Sequence, residues 1–135
     1  MLLFNYARQE TSYLMNRQET LDYLTLILRH DLNDNLSAFA LRTVLGEIIK
    51  AIRSLVIQPE EATFLQERNA VLATLQSTVM QQADKAVGSE HTNRGRKTAE
   101  KGYAARNDYS RAASAIEQAL REFIVATERS QSADV

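Results

Sequence analysis

The chain has 135 residues, 44% of them hydrophobic and 24% charged, which suits one domain that buries a core and keeps a hydrated surface. Sixteen basic and seventeen acidic side chains leave a formal charge of -1, so no global field favours nucleic acid or an anionic membrane, and an electrostatic partner has to be met locally. The absence of Cys excludes disulfides, thiolate metal sites and a Cys nucleophile, and it fits a reducing compartment, so a cytoplasmic location is expected.

The opening MLLFNYARQE has no basic n-region and only a short apolar run before Asn5, far below the core of a signal peptide or a membrane span. One Pro and four Gly among abundant Leu, Ala, Gln, Glu and Arg predict an all-α protein. In helix one, residues 2 to 30, Leu3, Tyr6, Tyr13, Leu14, Leu21, Leu24, Ile27 and Leu28 recur at steps that make one apolar stripe. In helix two, about 36 to 57, Leu41, Leu45, Ile48, Ile52 and Leu55 form a seam that Val44, Ile49 and Val56 widen.

QPEE at 58 to 61 then predicts a new start, because Pro59 fits a first helical position and Glu60 and Glu61 complement the positive helix end. Helix three carries Phe64, Leu65, Leu72, Leu75, Val79, Ala83 and Val87, with Gly88 as its cap before the connection GSEHTNRGR. Gly88, Gly95 and Gly102 recur every seven residues, and the reading adopted keeps only Gly102 inside a helix. The last helix, roughly 97 to 129, aligns Tyr109, Ala112, Ala113, Ile116, Leu120, Phe123 and Ile124.

Four long one-sided helices with short links predict an antiparallel four-helix bundle spanning 1–130 as a single domain, with 131–135 a flexible tail. Glu10, Arg17 and Arg68 fall in core register, so the seams are not uniformly apolar and could also serve a homodimer.

LRHDLNDNLSAF at 28 to 39 offers the one candidate for phosphoryl chemistry. His30, the acidic Asp31 beside it and Leu36 six positions later match three positions of a phospho-accepting box, and Leu28, Arg29 and Ser37 are common in such boxes. The stretch thus resembles the H-box of histidine-kinase dimerisation domains and of related helical phosphotransfer proteins. That resemblance implies His30 as phospho-acceptor and Asp31 as the group that orients or deprotonates it. It covers about ten residues, Asp34 stands where the family has Asn or Thr, and no nucleotide-binding domain follows, so a kinase is excluded. Asn33, Asp34 and Asn35 are three poor helix formers in a row, and they favour a turn, with His30 ending helix one and Asn33 or Asn35 capping helix two.

Residues 94 to 111, RGRKTAEKGYAARNDYSR, concentrate charge: Arg94, Arg96, Lys97, Lys101, Arg106 and Arg111 against Glu100 and Asp108 leave an excess of +4, and Tyr103 and Tyr109 interleave. This pattern fits contact with an acidic protein, or less readily a nucleic acid, through charge and stacking. Glu-x-x-His pairs, phosphate-cradling Gly loops and nucleophile elbows are absent from the sequence, so no metal, cofactor or catalytic constellation is expected. The sequence therefore points to a non-enzymatic helical module of adaptor, chaperone or inhibitor type that works by contact. The candidate contact residues are Arg94, Arg96, Lys97, Lys101, Tyr103, Arg106, Tyr109 and Arg111, and the alternatives are phosphotransfer at His30 and nucleic-acid binding through 94–111.

Overall fold

A computed structural model describes residues 16–32, 36–93 and 99–132, with side chains described outside 92–103. All regular structure among these residues is helical: α1 Arg17–Leu26, α2 Ala38–Ser54, α3 Ala62–Thr74, α4 Met80–Asn93 and α5 Ala99–Ser132. Two π turns, Ile27–Asp31 and Leu75–Val79, extend α1 and join α3 to α4, so the five segments make four rods.

The first rod starts later than periodicity suggested. Asn16 is extended, its side chain accepts the Glu19 amide at 2.8 Å, and Glu19 Oε1 accepts the Asn16 amide at 2.9 Å. This reciprocal capping satisfies two amides at the helix start and fixes it at Arg17. Leu3, Tyr6, Glu10, Tyr13 and Leu14 lie outside the described residues. At the other end of α1, Leu32 closes the π turn by donating to the Ile27 carbonyl at 3.0 Å, so His30 does sit at a helix end.

Ser37, rather than Asn33 or Asn35, caps α2, its hydroxyl accepting the Ala40 amide at 3.0 Å. Residues 33–35 lie outside the described residues. The seam of α2 is closed: Leu41, Leu45, Ile48 and Ile52 are fully buried and Leu55 nearly so. Val56 is 57% exposed because the backbone is already extended at Leu55, which turns the next side chain out of the helical stripe.

Pro59 does not open α3. The Glu61 amide donates to the Gln58 carbonyl at 2.9 Å, which places Pro59 second in a tight turn, a position its fixed φ also suits. The helix begins at Ala62, and its start has no side-chain cap. Gly88 is likewise not a cap: α4 continues through it to Asn93. The last turns of α4 are held from outside, by Ser89 donating to Asp108 and by Glu90 accepting the Ala38 amide at 2.9 Å. Gly95 lies outside the described residues, and Gly102 is within α5. That helix runs to Ser132, three residues beyond the expected end, with Gln131 donating to Gln18 at 3.1 Å; residues 133–135 lie outside the described residues.

Side chains from all four rods share one apolar core. Leu24, Leu41, Leu45, Ile48, Ile52, Leu75, Ile116, Leu120 and Phe123 are its largest fully hidden apolar members, and each contributes about 1.5–3 kcal/mol by leaving water. Phe64 and Phe123 stack with centroids 5.8 Å apart. Ala38, Ala51, Ala83, Ala86, Ala112, Ala119 and Ala126 are buried too, small residues that let the rods approach closely. Thr20 and Thr127 are hidden without loss, because each hydroxyl donates to the carbonyl four residues earlier.

Candidate interaction surface

Polar ties pin the rods at two ends. At one end, Arg17 pairs with Glu61, donates to Ser130 at 3.3 Å and lies 4.8 Å above the Phe64 ring. Arg129 pairs with Glu67 at 2.7 Å beside an open cleft of about 370 Å³. Arg68 also acts here. Its guanidinium donates to the carbonyls of Ile52, Arg53 and Leu55 at 3.1–3.4 Å, closing the C-terminus of α2. Core register thus put two arginines, Arg17 and Arg68, where they bind polar groups at the rod ends rather than breach the core.

At the other end, the tail of α1, the start of α2, the end of α4 and the start of α5 meet. The Leu36 amide donates to the Tyr109 hydroxyl at 3.2 Å, and the Ala38 amide to Glu90 Oε2 at 2.9 Å. Asp108 accepts from Ser89 and lies 3.9 Å from Lys85, with only 11% of its side chain exposed. The carboxylates of Glu90 and Asp108 are therefore spent on internal ties. Arg29, His30, His91, Arg106 and Arg111 are exposed. Three arginines are thus exposed around this end of a chain that is nearly neutral overall, alongside the half-buried carboxylates of Asp31 and Glu90.

Of the two stretches singled out in the sequence, the described residues around His30 and residues 104–111 are brought to this same end. Of the candidate contact residues, Arg106 and Arg111 are exposed, and Tyr109 is half-buried with its ring against the core and its hydroxyl engaged. Arg94, Arg96 and Lys97 lie outside the described residues, and for Lys101 and Tyr103 only the helical backbone is described. Asp31 is half-buried next to the exposed His30. Tyr23, on the same rod, has its phenol pushed above the ordinary value, chiefly by burial and then by the negative charges of Glu47 and Asp31.

Sequence reasoning missed Phe39. It is 64% exposed at the start of α2 and lines a cavity of about 200 Å³ with Val87, Glu90 and His91. The signal was available: Phe39 stands off the stripe set by Leu41, Leu45 and Ile48, a large aromatic on the polar side of its helix. Among the described residues there is no group of three His, Asp or Glu placed to hold a metal ion, and no helix is long and apolar enough to cross a membrane. No family model, no curated protein and no solved structure matches this chain.

Proposed function

We propose that this chain is a non-enzymatic, antiparallel four-helix bundle that works by contact with another protein, as an adaptor, chaperone or inhibitor in the cytoplasm, through its basic segment 94–111. One observation carries the reading: Glu90 and Asp108 accept from the Ala38 amide and the Ser89 hydroxyl, while Arg106 and Arg111, in the described part of that segment, are exposed. An acidic partner would meet these exposed arginines. The closed seams support the same choice. Leu41, Leu45, Ile48 and Ile52 have no area left to offer a client, so association through the apolar stripes, including a homodimer along α2, would require opening the core.

The test is affinity capture from the native cell with mass spectrometric identification, using wild type and an Arg94→Glu, Arg96→Glu, Lys97→Glu variant as baits. Partners lost from the variant support the reading, and an unchanged set of partners removes it.

A second reading, phosphotransfer at His30, is favoured by the exposure of the imidazole and opposed by its place at a helix end rather than in mid-helix. His30→Gln is expected to change stability by no more than about 0.3–1 kcal/mol, the scale of an exposed charge at a helix terminus. Incubation with acetyl phosphate or a phosphorylated receiver domain tests the chemistry. Labelling of wild type but not of His30→Gln would put phosphotransfer first.

A further inference from the structure

We infer that the open cleft at the start of α3 is the docking site for a segment of this chain itself, Tyr13, Leu14 and Met15, which leads into the Asn16 cap of α1. The cleft lies apart from the basic segment, and nothing in the inference depends on the partner proposed there. Phe64 and Ala126 line it although both are almost wholly buried, so they form its floor, while Thr63 is exposed at its mouth. A cavity of about 150 Å³ already accepts a benzene-sized ring. The 370 Å³ of this cleft therefore leaves room for a large apolar side chain.

Position, chemistry and tethering choose the occupant. Arg17, the first residue of α1, touches three lining residues: it pairs with Glu61, donates to Ser130 at 3.3 Å and lies 4.8 Å above the Phe64 ring. The start of α1 is thus within one arginine side chain of the cleft. Residues 1–15, outside the described residues, join the rod there through Asn16, whose backbone is extended. Two or three extended residues span about 7–10 Å, enough to bring Tyr13, Leu14 or Met15 over the floor. These three are uncharged, and the cleft makes little demand for charge, because Glu61 pairs with Arg17 and Glu67 with Arg129 on its rim. A segment tethered this closely also meets its site at an effective concentration on the order of millimolar, which a separate peptide or a second copy would have to match. Docked, the segment closes the cleft and adds apolar contact to the polar ties of Arg17.

The chain contains no Trp, so a single one introduced in the segment is a clean reporter. Full-length Tyr13→Trp, Leu14→Trp and Met15→Trp are compared with N-acetyltryptophanamide in acrylamide quenching. At least one variant is expected to be quenched several-fold less than the free indole, with emission shifted to the blue. Adding Thr63→Arg, which fills the mouth, is expected to abolish that protection, whereas Gln66→Arg, exposed on the same helix but outside the cleft, is expected to keep it. Circular dichroism checks that each variant is equally helical, and Ala62→Arg, at another exposed lining position, replaces Thr63→Arg if that variant is not. Quenching of all three reporters like the free indole would overturn the inference, as would protection that persists once the mouth is filled. Protection that disappears on dilution would assign the cleft to the segment of a second copy and overturn it as well.

Discussion

Arg68 does more for the fold than its charge alone would suggest, because its guanidinium donates to the carbonyls of Ile52, Arg53 and Leu55 at the end of α2, where Ile52 otherwise accepts only a long 3.3 Å bond from the Leu55 amide. Arg68→Met keeps most of the aliphatic stem and removes the donors. Urea unfolding should show a loss of about 1–2 kcal/mol, the range for hydrogen bonds from a charged donor at lengths near the upper limit. Tyr23 supplies a pH dependence of known sign. Its phenol is raised in the folded state, so the neutral form is the one folding favours. The associated stability is present in full below the ordinary tyrosine value and is lost as pH rises through the raised folded value. A stability profile through the alkaline range should fall less steeply for Tyr23→Phe than for wild type, and identical profiles would show that Tyr23 does not titrate with unfolding. At this scale the sequence told where polar residues break the stripes but not why. Arg17 and Arg68 both stand at core register, and only the neighbouring rods reveal that one meets Glu61 and Phe64 and the other a helix terminus.

The elements divide by what defines them. Where an apolar stripe alone fixes a helix, the sequence sufficed: every residue of the α2 seam from Leu41 to Leu55 is buried, as are Ile116, Leu120 and Phe123 of α5. The ends were harder, because they depend on local polar competition and on partners distant in sequence. Asn16 and Glu19 form a start signal that periodicity ran through, and Pro59 serves a turn although its position also suits a helix opening. Gly88 reads as a stop by residue type, yet Ser89 and Glu90 are tied to α5 and α2, so the helix proceeds through the glycine. That placement makes a prediction. A Cβ built at Gly88 meets nothing within 4 Å, and the residue is exposed in a helix interior. Gly88→Ala should therefore stabilise the protein by about 0.5–1 kcal/mol, measured by thermal or urea unfolding. A destabilised variant would mean that the helix does not pass through position 88 in solution.

For the molecule as a whole, the division of labour is between a closed core and polar rod ends, one with an open cleft beside Arg129 and one where Arg29, Arg106 and Arg111 are exposed. Helical seams that a sequence presents as potential docking faces are used up by packing against one another, and what stays exposed among the described residues includes charge at the rod ends and four large apolar side chains, Leu26, Phe39, Val56 and Val125. The candidate surface was half legible in the sequence. The basic run at 94–111 stood out by composition, while the inward turn of Glu90 and Asp108 and the outward turn of Phe39 depend on how α2, α4 and α5 meet. Contact through exposed charge has a distinct dependence on salt, because exposed charges are screened over about 8 Å at physiological ionic strength. The most direct measurement is therefore capture of native partners by wild type and by the Arg94→Glu, Arg96→Glu, Lys97→Glu variant across a series of salt concentrations. The account requires partners that wild type releases as salt rises and that the variant fails to retain at any salt, with both proteins equally helical by circular dichroism. Partners held equally by both proteins and insensitive to salt would contradict it.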